Sequence, residues 1–200
     1  LRNKLGVEDV FERSGTQEGA ALDDCHFHNT PHVHEDVCYL EVLDNAGRPL
    51  PQGARGRLVV TKLTAAGSIF VRYDTGDIAA FAPGPCACKC GFRRLKIFGR
   101  PESAVKVAQQ TITAYDVREC VERDPAMVGR NILLVRAPAS PSGVLSLAIE
   151  GDERNGGGTA RRLRERFGVG EVKISWLGGV RVNWGFRQVI EGREIGLGDG

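Results

Sequence analysis

The chain has 200 residues, 42% of them hydrophobic, and 27 lysines and arginines nearly balance 25 acids for a formal net charge of +2. That length accommodates one large domain or two small ones. The arginines are scattered without a basic run, which argues against a nucleic-acid partner and towards small ligands. No apolar stretch approaches the roughly 20 residues of a membrane span, and Leu1-Arg2-Asn3-Lys4 opens no signal-peptide apolar region. The expectation is a cytoplasmic protein without a membrane partner, whose six cysteines are ligands or buried thiols rather than disulfides.

The first informative segment is 25–34, where Cys25 is followed by His26, His28, His32 and His34, the four histidines of the chain. Cys86, Cys88 and Cys90 form a second donor cluster far downstream. Thiolate and imidazole are the ligands Zn²⁺ prefers, and a tetrahedral site takes four. A split site with two ligands from each cluster would tie the two segments together. Residues 37–44 read as a strand ending at Asn45-Ala46-Gly47-Arg48, and 56–61 as its hairpin partner. A further strand is expected over 68–73, interrupted by turn residues Asp74-Thr75-Gly76-Asp77 before 78–81.

After Gly99-Arg100-Pro101 the pattern changes. Residues 104–112 read as a hairpin, and 115–123 space Val117, Cys120 and Val121 at helical intervals. Strands are expected over 131–136 and 144–150, a basic helix over 159–167 with Leu163 and Phe167 on one face, and a last strand over 172–177. This order predicts helices packed on one side of a sheet. The glycine-rich 152–158 lacks the lysine and flanks of a phosphate loop and reads as a surface loop. Cys38 and Cys120 sit in apolar patterns and read as small core residues.

Four motifs in order, Gly56-Arg57-Leu58-Val59-Val60-Thr61, Arg72-Tyr73-Asp74-Thr75-Gly76-Asp77, Cys88-Lys89-Cys90-Gly91 and Gly99-Arg100-Pro101-Glu102, resemble the phenylacetate–CoA ligase branch of the adenylate-forming enzymes. The resemblance implies an α+β fold: residues 1–98 as the β-rich end of the large AMP-binding domain, and 99–200 as the small, mobile C-terminal α+β domain. It implies that a Ser/Thr/Gly-rich phosphate loop lies upstream of Leu1. It also implies an acid–thiol ligase that activates a carboxylic acid with ATP and passes the acyl group to CoA. The expected partners are that acid, ATP and CoA, with a homodimer as a further candidate assembly.

By the same resemblance, Asp77 accepts the ribose hydroxyls of ATP or AMP, a role suited to a carboxylate with two acceptor oxygens. The residues alone also read as turn chemistry at this point. Glu18, in Ser14-Gly15-Thr16-Gln17-Glu18, corresponds to a glutamate that helps hold Mg²⁺, although a serine stands at the family's tyrosine position. One carboxylate is a reasonable Mg²⁺ ligand and equally an ordinary solvated side chain. Arg100 corresponds to a nucleotide-contacting arginine, catalytic together with Glu18, and Glu102 to the hinge about which the small domain rotates.

For the metal, the resemblance selects Cys25, His32, Cys88 and Cys90 as ligands of a structural zinc, with Cys86 and His34 as substitutes. His26 and His28 are then surface or supporting groups. Two departures count against intact catalysis. Gln109 stands where the family has a glycine lining the CoA passage, and Phe186, beside Arg187, near the position of a lysine that stabilises developing negative charge. The alternative function is therefore a catalytically degenerate, zinc-stabilised module that binds a nucleotide or a partner.

Overall fold

The computed structural model describes residues 6–64, 67–107, 110–136, 143–152, 158–177 and 189–191. The chain divides into two units, Leu1–Ile97 and Phe98–Gly200, and its architecture is mixed α+β.

The first unit begins with three short antiparallel strands, β1 (Arg13–Gly15), β2 (Ala21–Asp23) and β3 (His32–Val33), in the order β1-β2-β3. A second sheet follows: β4 (Cys38–Leu43), β5 (Gly56–Lys62), β6 (Tyr73–Phe81) and β7 (Leu95–Gly99), hydrogen-bonded in that order. In β4 the alternation Cys38, Leu40, Val42 inwards and Tyr39 outwards is the period of two expected of a half-buried strand. Pairing Leu40 with Val60 and Val42 with Leu58 puts the apolar residues of both strands into one core with Leu22, Val33, Ala79, Phe81 and Leu95. Each fully buried leucine there contributes about 2 kcal/mol by leaving water.

The two sheets are laced together just before β7. His32 and Arg94 form an antiparallel bridge, Val33 N–H donates to the Arg93 carbonyl, and Ala82 N–H donates to the Arg94 carbonyl. The segment preceding β7 thus bonds β3 on one side and the end of β6 on the other. The backbone beside the second cysteine cluster is thereby fixed against the backbone beside the histidines.

One expectation is corrected here. Residues 69–72 form no strand, and Ile69 and Val71 are exposed, while β6 runs from Tyr73 straight through Asp74-Thr75-Gly76-Asp77 to Phe81. The segment taken for a turn is accommodated as a bulge: Arg57 pairs with Ile78 and Val59 with Asp74, so Leu58 alone faces Thr75, Gly76 and Asp77. Gly76 adopts φ +76°, open to glycine at no steric cost. Thr75 Oγ1 donates to the Leu58 carbonyl and accepts from Asp77 N–H, supplying bonds that the interrupted ladder lacks.

The second unit starts with a hairpin, β8 (Ala104–Val107) and β9 (Gln110–Thr113), which leads directly into helix α1 (Ala114–Val121). Thr113 and Asp116 form a reciprocal capping box at its N-terminus, and both are buried. The remaining strands are β10 (Ile132–Arg136), β11 (Val144–Glu150), β12 (Glu171–Leu177) and β13 (Val189–Glu191), with helix α2 (Thr159–Phe167) between β11 and β12. Their order is β12-β11-β10-β13; β10 and β11 are antiparallel, whereas β12 runs parallel to β11 and β13 parallel to β10. The expected last strand is thus followed by another, β13, too short to stand out in the sequence.

Both helices contribute to one cluster on this sheet. Val117, Cys120 and Val121 of α1, and Leu163 and Phe167 of α2, pack with Ile132, Leu134, Leu145, Leu147 and Ile149. Leu133, Val135 and Ala148 are buried on the opposite face, which explains why β10 reads as an unbroken apolar run.

Candidate metal centre and nucleotide-site residues

Cys25 lies in the turn between β2 and β3, His32 opens β3, and Cys86 and Cys88 lie in the loop after β6. One ligand atom from each comes together, all four within 4.8 Å of one another. Cys25 Sγ is 3.8 Å from Cys86 Sγ, and His32 Nε2 is 3.3 Å from Cys88 Sγ. Tetrahedral zinc with Zn–S near 2.3 Å requires S···S edges of about 3.8 Å and N···S edges of about 3.5 Å, so the donor set fits Zn²⁺. His32 is 6% exposed, and its Nδ1 lies 3.0 Å from the Phe92 carbonyl. A ring N–H donated there leaves the Nε2 lone pair for a metal.

The loop that presents the second pair is a tight turn. Lys89 has φ +62° and donates its N–H to the Cys86 carbonyl, while Cys90 N–H points at Cys88 Sγ from 3.4 Å. Amide dipoles directed at sulfur favour thiolate. The Cys88 backbone N–H, against an opposing effect of burial, together with the side chains of His32, Cys88 and Cys25, lowers the Cys86 thiol to about 6. For Cys88 the Cys90 N–H acts downwards, but burial and the neighbouring Cys86 and Cys25 thiols leave it raised. Asn29 Nδ2 approaches Cys86 Sγ at 3.9 Å.

Of the four ligands expected from sequence, Cys25, His32 and Cys88 are in this group, and the fourth member is Cys86. Cys90 is exposed and lies outside it. His34 also stands apart, bonded through Nε2 to Asp23 at 2.7 Å. His28 is held between Asp24 at 2.5 Å and Asp9 at 2.7 Å, and these two carboxylates, Asp24 first, raise its pKa. His26 is exposed. Two contributors are invisible in the sequence: the Phe92 carbonyl, a backbone atom without a residue signature, and Asn29, whose type is ordinary for a turn. Cys38 and Cys120 are buried, and burial raises both thiols.

Asp77 is half-buried at the end of the β6 bulge. Glu18 is half-buried in the β1–β2 connection, a tight turn closed by bonds between Thr16 and Gly19 and between Thr16 and Ala20. In the second unit Arg100 is exposed and caps the short 3₁₀ turn Pro101–Ser103, which contains Glu102. The Glu102 carbonyl accepts from Arg136 at 3.4 Å. Gln109, Phe186 and Arg187 lie outside the described residues, as does most of the glycine-rich 152–158 segment. A shallow groove of about 350 Å³ on α1, lined by Tyr115, Arg118, Glu119, Glu122 and Arg123, contains no residue expected from the sequence. No helix among the described residues is long and apolar enough to cross a membrane.

No family model matches the chain. In fold it is similar to 2-hydroxyisobutyryl-CoA ligase, solved in the postadenylation state with R3-HIB-AMP: TM-score 0.76, 22% identity, 97% of this chain and 45% of that one. It is also similar to amide bond synthetase McbA from Marinactinospora thermotolerans, with TM-score 0.56, 18% identity, and 82% and 38% of the two chains. These likenesses establish a fold shared with part of each enzyme.

Sequence narrows the relationship. The chain is 28% identical over 139 residues to the phenylacetate-coenzyme A ligase of Aromatoleum evansii, covering 68% of this chain and 31% of the relative. It is 31% identical over 107 residues to that of Thermus thermophilus, covering 52% and 24%. The chain therefore shares partial sequence similarity with these ligases, and spans 24–31% of the length of these two curated relatives.

Proposed function

We propose that this chain is the C-terminal part of an AMP-forming acyl- or aryl-CoA ligase of the phenylacetate–CoA ligase type. Such an enzyme condenses a carboxylic acid with ATP to an acyl-adenylate and transfers the acyl group to CoA. The observation that supports this reading is the sequence likeness to phenylacetate-coenzyme A ligases. In this reading Asp77 accepts the two ribose hydroxyls, Glu18 shares in holding Mg²⁺ against the phosphates, Arg100 reaches nucleotide oxygens, and Glu102 is the hinge between the two half-reactions. A structural zinc held by Cys25, His32, Cys86 and Cys88 would clip the β2–β3 turn to the loop after β6; with four protein ligands it keeps no open position for substrate.

The test is acid-dependent ATP–pyrophosphate exchange by the full-length protein across a panel of aromatic acids. Asp77→Ala should reduce exchange about a hundredfold, the cost of losing two hydrogen bonds to a charged acceptor. Absence of exchange with every acid would overturn the reading.

A second reading rests on Gln109 and Phe186, which replace a glycine and a lysine of the pattern. There the chain is a zinc-stabilised module that binds a nucleotide or a partner without catalysis. Calorimetric titration with ATP and AMP, beside exchange assays of Phe186→Lys, separates the two: nucleotide binding with exchange only in the variant supports the module.

A further inference from the structure

Cys25 and Cys86 face each other with their sulfurs 3.8 Å apart, whereas Cys88 is directed at His32. The residues are 61 apart in sequence, and all six cysteines of the chain are free thiols. A disulfide needs the sulfurs at about 2.05 Å, a closure that two connecting loops can share. The two thiols also differ in access: Cys25 is half-buried, and Cys86 is 7% exposed. We propose that Cys25 and Cys86 are an oxidative modification site, a pair that hydroperoxides convert to a disulfide.

The more accessible Cys25 thiolate attacks a peroxide oxygen. The O–O bond breaks, hydroxide leaves, and Cys25 becomes a sulfenic acid. The Cys86 thiolate then attacks the Cys25 sulfur; the S–S bond forms, the S–O bond breaks and a second hydroxide leaves. Two thiolates have lost two electrons in total, the peroxide has gained them, and the two hydroxides are neutralised to water by the two protons that the thiols released to solvent on ionising. Disulfide sulfur is not a thiolate ligand, so the reaction removes two of the four donors that would hold a zinc, and His32 and Cys88 alone would not retain it. The same two loops remain tied, now covalently. The zinc-release part rests on the metal reading given above; formation of the bond does not.

The experiment takes the chain as purified, measures its metal content, and treats it with hydrogen peroxide. Free thiols are then alkylated and the peptides mapped, while a metallochromic dye follows zinc. The expected result is a peptide linking Cys25 to Cys86, a mass loss of about 2 Da, zinc release in step with the link, and reversal of the link by dithiothreitol. In Cys90→Ser the link forms at an unchanged rate, because that exposed thiol takes no part. A link through Cys88 or Cys90, over-oxidised Cys25 without a link, or zinc release while Cys25 and Cys86 both remain alkylatable would overturn the proposal. A chain that holds no zinc yet forms the link supports the pair and refutes the metal reading alone. A chain that holds zinc and forms no link refutes the pair alone.

Discussion

His32 Nε2 lies 3.3 Å from Cys88 Sγ while the opposite ring nitrogen lies 3.0 Å from the Phe92 carbonyl. One residue thus joins β3 to the downstream cysteine loop at two points, Cys88 and Phe92. If a metal completes this arrangement, His32→Ala removes a ligand and the bond that orients the loop together. Purified protein should contain zinc in a 1:1 ratio by elemental analysis, and His32→Ala should lose it with a fall in thermal midpoint of the first unit. Cys90→Ser should retain the metal; loss of zinc in that variant would return Cys90 to the ligand set.

The depressed Cys86 thiol makes the metal-free protein sensitive to pH in a definite direction. In the folded state it titrates at about 6, and the ordinary thiol value is 9.0. Between these values the unfolded chain binds a proton that the folded one does not, so stability rises with pH across the window and is fully present above it. It is lost as pH falls through about 6. Ultraviolet thiolate absorbance of the metal-free protein should show a thiolate appearing near that pH, and Cys86→Ser should abolish the step.

Gly56, the first residue of β5, tests the packing of the first unit. A Cβ at this position would fall on the Leu43 carbonyl oxygen and the Leu50 side chain, and the carbonyl belongs to backbone that cannot turn away. Gly56→Ala should cost about 3 kcal/mol in urea unfolding. Gly91→Ala is the contrast, because nothing lies within 4 Å of its Cβ position; its unfolding midpoint should not move.

In the second unit, Thr113 Oγ1 donates to Asp116 Oδ2 at 2.8 Å and accepts from Asp116 N–H at 3.2 Å, with both residues buried. Thr113→Ala removes both bonds and should destabilise this unit by about 2 kcal/mol. Thr113→Ser should restore most of the loss, since the cap is the hydroxyl and not the methyl.

Leu163 is fully buried between α2 and the sheet. Leu163→Ala should cost about 3 kcal/mol, the transfer of the lost methyl groups plus the cavity left behind. Denaturant titration followed by circular dichroism checks it.

Much of the fold was legible because its elements carry strong local periodicity. The strand at Val144–Glu150 and the helix at Thr159–Phe167 coincide with the expected ranges, since an apolar run and an i, i+4, i+8 stripe have few other solutions. The β1, β2 and β3 strands, two or three residues each, are too short to show a period and exist through pairing with one another. The error at 68–73 has a different origin. Ile69, Phe70 and Val71 have strand propensity, but propensity cannot register that β5 and β6 pair with a bulge, so the apolar residues ended outside the sheet and the turn residues inside it.

By itself the sequence determined that two donor clusters exist, that their types suit a divalent metal such as zinc, and that four short motifs stand in an order resembling that of a ligase family. Those are matters of residue type and spacing. Which donors meet was decided only in three dimensions. Cys86, Cys88 and Cys90 alternate along the chain and are equivalent as a spacing, but the left-handed Lys89 at φ +62° turns the loop so that Cys86 and Cys88 face Cys25 and His32 while Cys90 faces solvent. The direction of a side chain in a loop is set by backbone torsions and by the bonds that hold them, here to the Cys86 carbonyl, and not by the interval between residues.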